Sequence, residues 1–227
     1  MAAAGSGRRM TTTVPKQYLR VLGKTVLQHS LDQLLSLPAI VGGVLVLAPD
    51  DRYWSNLAYQ SAKPLWIAQG GQERLESVFN GVSLLASQAA DDNWVLVHDA
   101  ARPCVRQADL IRLCETVTND PVGGLLAVAV KDTLKQGNAD DRVMMSVDRS
   151  QLWQAQTPQI FRLGLLQKAL SAALQQGNAV TDEAGAIEQL GLSARLVPGH
   201  YDNIKITTPE DLLLAEFYLS RRREAVC

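Results

Sequence analysis

Residues 94–103, with the sequence WVLVHDAARP, decide the fold class of this chain. The first half, 94–98, is a nearly continuous apolar run, as expected for a strand that is covered on both faces. An acidic and a basic residue follow directly, and in open α/β sheets ligands bind beyond the carboxyl ends of the strands. The stretch therefore predicts a buried strand that delivers Asp99 and Arg102 to a ligand site.

Further apolar runs of strand length alternate with segments of helical period, which favours βα units around a mainly parallel sheet. A last helix is predicted to begin at Pro209, because Thr208 is a natural N-cap and proline is favoured at the first helical position. We therefore expect an α/β fold with helices flanking the sheet, as a single domain over residues 1–227. The predicted strands are 41–47, 65–68, 94–98, 125–130, 194–197 and 203–206, and the other predicted helices are 26–35, 75–85 and 110–117.

The composition excludes several classes of protein. With 22 Lys and Arg against 23 Asp and Glu, a net charge of -1 and 47% apolar residues, the chain is not predicted to be disordered or to bind nucleic acid. It has no apolar run of ~18 residues, and charged Arg8 and Arg9 stand where a signal peptide would be apolar. We expect a cytoplasmic protein with no membrane partner. Three cysteines without a CxxC pair predict neither a disulfide framework nor a zinc site.

One polar segment, 131–153, interrupts the alternation. It carries Gly137, Asn138 and Asp140 near its centre, between flanks at 132–135 and 143–147 that can form strands. This pattern predicts a protruding β-hairpin, and a hairpin alone is only marginally stable in water. We call residues 131–153 the hairpin arm and expect it to pack against another surface, such as a second subunit.

The glycine-rich start is typical of a loop that binds phosphate. Residues 5–10, GSGRRM, are followed by Pro15-Lys16-Gln17-Tyr18. Glycines let the backbone approach a phosphate, and Arg9 and Lys16 add positive charge where a phosphoryl group develops negative charge. The segment lacks the GK[ST] of a Walker loop and the third glycine of a dinucleotide fingerprint. The alternative is a surface turn with solvated arginines.

The same start has an unusual position. Residues 2–7 are predicted to form the turn that leaves a first strand, but no strand precedes them in this sequence. The first strand of a doubly wound sheet is usually central, so its loss would expose two sheet edges. Either the chain begins late or another segment takes that place.

The acidic residue after the strand 94–98 is a candidate metal ligand. Asp99 is well placed to hold Mg²⁺ against a nucleotide triphosphate, and Mg²⁺ needs few protein carboxylates. Small Ala100 and Ala101 leave room for a ligand, and Arg102 can pair with a phosphate in bidentate fashion. The alternative is an Asp99 that caps the next turn with Arg102 as its partner. For His98 we expect a satisfied buried histidine rather than a catalytic base.

Together these motifs resemble the 2-C-methyl-D-erythritol 4-phosphate cytidylyltransferase family of the non-mevalonate isoprenoid pathway. The resemblance covers almost the whole chain, and its motifs occur in family order. They are 3–10 (AAGSGRRM), 15–18 (PKQY), 70–71 with Arg74 and Ser77, 98–103 (HDAARP), 132–133 (DT), 147–149 (VDR), 157–159 (TPQ), 181–184 (TDEA) and 202–205 (DNIK).

The resemblance implies a Rossmann-like, glycosyltransferase-A-like nucleotidyltransferase fold. It also implies a homodimer with a swapped hairpin arm that converts CTP and methylerythritol phosphate into CDP-methylerythritol and pyrophosphate. By motif, Arg9 and Lys16 would stabilise charge at the α-phosphate, Arg149 and Lys205 would position the methylerythritol phosphate, and Asp99 would bind Mg²⁺ together with Asp202. The cytidine would lie near Ala3, Ala4, Gly5, Gly71, Arg74 and Ser77, and the substrate's diol and phosphate near Arg102, Thr133, Thr157 and Thr181.

Alternatives remain open at this point. A cytidylyltransferase for another polyol phosphate, such as ribitol 5-phosphate, would share the loop and the metal site. The missing first strand also leaves room for an impaired nucleotide-binding copy. Gln72 stands where many relatives carry Asp, which puts one base or ribose contact in doubt. The absent third glycine argues against a dinucleotide-binding protein.

Overall fold

A computed structural model describes residues 1–5, 14–177 and 179–224, without the side chains of residues 223 and 224. Arg9 and its neighbours from Ser6 to Met10 lie outside the described residues, as does Cys227. The elements in chain order are β1 (Arg20–Val21), β2 (Lys24–Thr25), α1 (Val26–Leu35), β3 (Gly43–Leu47), β4 (Leu65–Gln69), α2 (Arg74–Ala86), β5 (Trp94–Val97), α3 (Gln107–Val117), β6 (Gly123–Ala129), β7 (Leu134–Gly137), β8 (Val143–Val147), β9 (Trp153–Arg162), α4 (Leu163–Gln176), α5 (Glu183–Glu188), β10 (Arg195–Pro198) and α6 (Pro209–Glu224).

The described strands form four groups, of which β1-β2 and β7-β8 are separate antiparallel pairs and the other two are connected by residue 2. β3 pairs with β4 in parallel, and a second group has the order β10-β6-β9-β5, in which β9 is antiparallel to both of its neighbours. Ala2 bridges in parallel to Val46 of β3 and to Asp99 just after β5. The predicted α/β fold with a mainly parallel sheet is therefore confirmed, and β9 is the antiparallel exception.

Helices cover both faces of this sheet. Val95 and Val97 of β5 pack in one apolar cluster with α2, α4 and α5, whereas Leu96 between them packs in a second cluster with α1 and α3. Alternating residues of a strand point to opposite faces. The continuous apolar run of β5 is thus explained by burial on both sides. No helix in the described part of the chain is long and apolar enough to cross a bilayer.

The turn predicted for residues 2–7 is wrong for the first residues of the chain, which pair with strands instead. Ala2 donates its N–H to the His98 carbonyl at 3.0 Å, and Ala3 donates to the Val46 carbonyl at 2.9 Å. These residues therefore lie between β3 and β5, in the position expected for the first strand. Beside Met1 is a small cavity of about 30 Å³ lined by Ala2, Val44, Val46, Val78, Gly81, Val82, Leu85, Val95, Leu96 and Val97.

The strand β9 was absent from the sequence-based prediction, although it lies in the middle of the sheet. Its sequence contains Pro158, which disfavours a central strand, and several glutamines. The strand tolerates the proline because the pairing of β9 with β6 is irregular at this point. Leu125 of β6 pairs with Gln159, but Ala127, two residues further along β6, pairs with Ala155, four residues away on β9. The extra residues form a bulge that includes Thr157 and the cis Thr157-Pro158 bond.

Two other predictions were wrong in part. Residues 203–206 do not form the predicted strand but run irregularly, because their polar groups bond to other segments. The Ile206 N–H bonds to the Ala101 carbonyl at 2.8 Å, and the Asn203 side chain donates to the Thr157 carbonyl at 2.9 Å. The helices α4 and α5 were not predicted, whereas α6 begins at Pro209 as expected.

The predicted hairpin is present within residues 131–153. β7 and β8 pair antiparallel with Leu134 opposite Val147. The arm exposes Val143, Met144 and Met145 to solvent, with 64%, 65% and 55% of their surface accessible. An isolated hairpin with an exposed apolar face is a surface that favours contact with a partner.

Candidate functional site

A cleft of about 600 Å³ opens at the carboxyl ends of β3, β4 and β5. This is the edge of the sheet where ligands bind in open α/β folds. We call it the cleft. It is lined by Ala2, Ala3, Ala4, Gly5, Pro15, Lys16, Gln17, Ala48, Pro49, Asp50, Asp51, Arg52, Tyr53, Gly71, Gln72, Glu73, Arg74, Ser77, Asp99, Ala100, Ala101 and Lys205.

Most of the predicted nucleotide-binding residues meet in the cleft. They come from four segments: the first residues of the chain, the start of the short helix Lys16–Tyr18, the start of α2, and the turn after β5. Lys205 joins them from the irregular segment before α6. The predicted residues that line the cleft are Ala3, Ala4, Gly5, Lys16, Gly71, Arg74, Ser77, Asp99 and Lys205.

The carboxylate of Asp99 is held from two sides. Arg74 bonds to Oδ1 through Nε at 3.2 Å and Nη2 at 3.1 Å, and the Lys205 ammonium lies 2.7 Å from Oδ2. Burial alone would raise the pKa of Asp99, but Arg74 and Lys205 outweigh it and hold the pKa well below its usual range. Asp99 is therefore a charged carboxylate that lines the cleft.

Glu183 is a buried partner of Arg74 for which the sequence predicted no role. It accepts from Arg74 at 2.7 Å on Oε1 and 3.1 Å on Oε2, and it is almost fully buried. Burial disfavours the charge on Arg74, yet Glu183 and Asp99 outweigh it and raise the Arg74 pKa. This bidentate pair fixes the guanidinium while leaving it at the cleft. The signal was the TDEA motif, whose Asp182 N-caps α5 and so places Glu183 in its first turn.

Lys16 is anchored by the same segment that carries Lys205. Its ammonium donates to the Ile206 carbonyl at 2.8 Å. The next residue, Gln17, is buried and donates to the Ala3 carbonyl at 2.7 Å. The cleft thus joins the start of the chain, the Pro-Lys-Gln-Tyr motif and residues 203–206 by direct hydrogen bonds.

Residues 50–53, which line the cleft, were also missing from the sequence-based prediction of the site. They follow β3 directly, so the rule that ligands bind beyond strand ends could have found them. Asp51 accepts from the Tyr18 hydroxyl at 2.7 Å and from the Tyr53 backbone at 3.0 Å, and the rings of Tyr18 and Tyr53 stack at 5.0 Å. These contacts hold this part of the cleft wall to the helix Lys16–Tyr18.

Asp202, the second predicted metal ligand, lies elsewhere. It is not among the described residues that line the cleft. Arg106 binds it through Nε at 2.9 Å and Nη2 at 2.7 Å, and Arg222 binds it at 2.8 Å. Because guanidinium groups occupy its oxygens and tie α3 to α6, the metal role predicted from the sequence does not fit this placement.

Two predicted substrate contacts are buried behind the cleft. Thr157 is only 4% exposed and bonds to His98 and to the Asp99 backbone. Arg102 donates from Nη1 to the Asn203 carbonyl at 2.7 Å, and its buried Nε has no partner among the described groups. Burial lowers the Arg102 pKa, which Asp99 partly opposes.

The remaining predicted residues lie on the surface. Thr133 and Arg149 are exposed at the base of the hairpin arm, where Arg149 donates to the Lys131 carbonyl, and Thr181 is exposed before α5. Within the described chain, none of these three residues lines the cleft. The structure of one chain therefore does not bring Arg149 to Lys16.

The comparisons with known proteins agree on one family. Residues 1–221 match the family model described as 2-C-methyl-D-erythritol 4-phosphate cytidylyltransferase. A relative of that name from Ectopseudomonas mendocina (strain ymp) is 52% identical over 98% of this chain and 95% of its own length. A relative from Vibrio vulnificus (strain YJ016) is 48% identical over 98% of this chain and 94% of its own length. The crystal structure of the Francisella tularensis 2-C-methyl-D-erythritol 4-phosphate cytidylyltransferase is 35% identical, covers 96% of both chains and has a TM-score of 0.82.

The pairing of Asp202 predicts a structural role with a defined pH dependence. Burial opposes the charge of Asp202, but hydrogen bonds from Arg106 and Arg222 outweigh it and lower the pKa. Its stabilising effect is therefore complete above the unfolded pKa of about 3.9 and is lost as the pH falls through the lower folded pKa. We expect Asp202→Asn to lower the free energy of unfolding at pH 7 by about 2 kcal/mol, measured by urea unfolding.

The difference between wild type and variant should begin to shrink below about pH 4 and should disappear only below the folded pKa, where the carboxylate is protonated in both states. Asp140→Asn, at an exposed position in the hairpin arm, is the control and should change stability by less than about 0.5 kcal/mol. An Asp202→Asn chain as stable as the control would contradict the structural role.

Proposed function

The chain belongs to the 2-C-methyl-D-erythritol 4-phosphate cytidylyltransferase family, and we propose that the cleft around Asp99 is its active site. The enzyme transfers the cytidylyl group of CTP to 2-C-methyl-D-erythritol 4-phosphate, giving 4-CDP-2-C-methyl-D-erythritol and pyrophosphate. The observation that favours this location most is the single carboxylate held by Arg74 and Lys205 at the carboxyl ends of the strands. The use of CTP, an intracellular metabolite, also favours the cytoplasm as the place of action.

The reaction needs positioning and charge more than it needs a general base. A phosphate monoester has a second pKa near ~6, so at pH 7 the methylerythritol phosphate already carries its nucleophilic oxyanion. Attack on the α-phosphate of CTP builds negative charge on the equatorial oxygens and on the departing pyrophosphate. The cleft accordingly offers fixed cations rather than a histidine. His98, the nearest histidine in sequence, is buried, and burial lowers its pKa to about 4.

Lys16 and Arg9 are assigned to the α-phosphate. Lys16 lines the cleft with its ammonium held at the Ile206 carbonyl, which orients it next to Lys205. Arg9 belongs to the glycine-rich segment that connects Gly5 of the cleft to Pro15 of the cleft. Preorganised cations of this kind stabilise charge that develops in the transition state.

The cytidine is assigned to the part of the cleft between the start of the chain and α2. Ala3 and Ala4 have small side chains, and Gly71 donates its N–H to the Ser77 hydroxyl at 3.0 Å. A narrow pocket with backbone polar groups suits a pyrimidine and leaves little room for a purine. Arg74, fixed by Glu183, closes this part of the cleft on the side of Asp99.

A divalent cation fits the cleft only as a companion of the nucleotide. The described residues contain no group of three or more His, Cys, Asp or Glu that could hold a metal ion alone. Mg²⁺ is commonly bound by one carboxylate together with substrate phosphates, and Asp99 supplies one carboxylate. When bound, Mg²⁺ would neutralise charge on the phosphates. Because both oxygens of Asp99 are ion-paired, binding requires Lys205 or Arg74 to yield one of them.

The methylerythritol phosphate is assigned to Lys205, Arg102 and Arg149. Arg102 is a largely buried cation with an unpartnered Nε, which is the kind of group that an incoming phosphate satisfies. Arg149, however, is exposed in the hairpin arm and lies outside the cleft of its own chain. Thr133 and Thr181 are likewise exposed, and they remain candidates for contacts to the diol.

We assign the hairpin arm to a homodimer in which each arm reaches the partner's cleft. The arm exposes Val143, Met144 and Met145, an apolar surface that a partner would cover. A C₂ dimer with exchanged arms would bring Arg149 of one subunit to Lys16 and Lys205 of the other. Exposed residues of the arm thereby gain a role that they lack in a single chain.

The substrate is tested by pyrophosphate release. With CTP, we expect kcat/KM for 2-C-methyl-D-erythritol 4-phosphate to exceed that for ribitol 5-phosphate by roughly 100-fold or more, and ATP to be a poor donor. Equal rates with the two polyol phosphates would contradict the substrate assignment. No turnover with either would support an impaired nucleotide-binding protein instead.

The metal ligand is tested by a pair of aspartate variants. Asp99→Asn should raise the Mg²⁺ concentration required for half-maximal activity by roughly 10-fold, because it removes the carboxylate that is proposed to bind the metal ion. Asp202→Asn removes an equally buried carboxylate outside the cleft and should leave the Mg²⁺ titration unchanged, when assayed below its melting temperature. If both variants titrate like wild type, Asp99 is not a metal ligand.

The exchanged arm is tested by mixing two inactive variants. Chains with Lys16→Ala are combined with chains carrying Arg149→Ala under conditions that exchange subunits. In a mixed dimer with exchanged arms, one site has both changes and the other has neither, so random pairing restores about a quarter of all sites. If Arg149 serves its own subunit, every site keeps one change. Exchange without recovery of activity would then disprove the shared site.

A further inference from the structure

A chain of buried hydrogen bonds supports the turn that carries Asp99 and Arg102. The Asp99 N–H donates to the Thr157 hydroxyl oxygen at 3.1 Å, this hydroxyl lies 3.0 Å from Nδ1 of His98, and Nε2 of His98 lies 3.0 Å from the Arg102 carbonyl. His98 is fully buried, and Thr157 is 4% exposed. Neither side chain is among the described groups that line the cleft.

When the His98 ring is neutral, the two ends of this chain of hydrogen bonds fix the direction of every bond in it. A backbone N–H can only donate and a carbonyl can only accept, so Nε2 of His98 must carry the ring proton toward Arg102. Nδ1 is then an acceptor and takes the Thr157 hydroxyl proton. The hydroxyl oxygen is left to accept from Asp99. His98 is thereby set as the neutral Nε2–H tautomer.

The bulge in β9 places Thr157 at this position. The pairing of β5 with β9 ends at Val97, which faces Gln159. The next backbone N–H beyond this pair that needs an acceptor is that of Asp99. The Thr157 carbonyl does not serve it, because that oxygen accepts from the Asn203 side chain. The Thr157 hydroxyl replaces the missing carbonyl, and His98 closes the turn from residue 98 to residue 102.

We propose that His98 and Thr157 are positioning residues for the cytidylyl transfer, which hold the turn 98–102 so that Asp99 and Arg102 face their ligands. This inference rests on the proposed active site. It also gives Thr157 a role different from the substrate contact implied by the family resemblance. The hydroxyl of Thr157 acts through the Asp99 backbone, and the imidazole of His98 acts through the Arg102 carbonyl.

The position of the turn predicts the kinetic effect of losing the hydroxyl. Ala100 and Ala101 of the turn line the cleft, and the Ala101 carbonyl is bonded to Ile206, next to Lys205. A shift of the turn therefore moves groups that serve both substrates. We expect kcat to fall, rather than the KM for methylerythritol phosphate alone to rise.

The kinetic test compares two substitutions at one position. Thr157→Val keeps the shape but leaves the Asp99 N–H without an acceptor, and we expect its kcat to be lower by roughly 10- to 100-fold. Thr157→Ser keeps the hydroxyl, so its kcat should stay within about threefold of wild type. Circular dichroism and the melting temperature establish that both variants are folded. Equal losses in both variants, an unchanged kcat in Thr157→Val, or an effect confined to the KM of methylerythritol phosphate would each overturn the proposal.

A second measurement does not depend on turnover or on the stability of a variant. The chain has three histidines, and ¹⁵N-histidine labelling resolves the tautomer of each ring by NMR, with the His98 signals identified by their loss in His98→Gln. We expect His98 of the wild type at pH 7.5 to be the Nε2–H tautomer with a hydrogen-bonded Nδ1. In folded Thr157→Val the Nδ1 signal should move toward the position of a free nitrogen, whereas in Thr157→Ser it should not.

An Nδ1–H tautomer or a charged ring in the wild type would overturn the proposal. The failure of the proposed function would look different. In that case, wild-type protein would release no pyrophosphate from CTP and methylerythritol phosphate, while the NMR result would still report whether the hydrogen-bond chain exists.

Discussion

The ion pair of Asp99 with Arg74 and Lys205 is the interaction on which the site depends. It joins the start of α2, the turn after β5 and the segment before α6, which lie far apart in sequence. Glu183 adds α5 through its bidentate contact with Arg74. Burial opposes the charges of Arg74, Asp99 and Glu183, so these side chains are stable there only as a group that includes opposite charges. The fold must therefore assemble all four segments before the cleft has its charge pattern.

The antiparallel strand β9 connects this cleft to the hairpin arm. The bulge within the strand places the Thr157 hydroxyl at the Asp99 N–H, and at the first residue of the strand Trp153 pairs with Ala129 of β6, where the arm begins. β6 and β9 are thus the base of the arm and also the neighbours of the site.

The sequence predicted the parts of the fold that follow from local pattern. The continuous apolar run of β5, the N-terminal proline of α6 and the polar insertion that forms the arm are all readable without tertiary information. β9 is not, because Pro158 and the glutamines resemble a loop. The Gln159 amide is satisfied by Asp182 at 2.9 Å and by the Ala184 N–H at 2.8 Å, contacts that only the assembled fold supplies. The residues of the candidate site that follow strand ends were predicted, because ligands bind there in open α/β sheets. Glu183 was missed because it contacts the site only through another side chain, that of Arg74.

The contrast between Asp99 and Asp202 shows why motif similarity could not separate their roles. Both are buried carboxylates paired with two cations, and both lie in motifs of the family. The partners of Asp202 belong to α3 and α6, so its charge is used to hold two helices. One partner of Asp99 is Lys205, whose side chain lines the cleft. Neither Arg106 nor Arg222 is among the described residues that line the cleft, whereas Lys205 is. In the proposed active site, a ligand would therefore meet a partner of Asp99 and not the partners of Asp202, so the surface on which the partners lie separates a structural ion pair from a proposed ligand site.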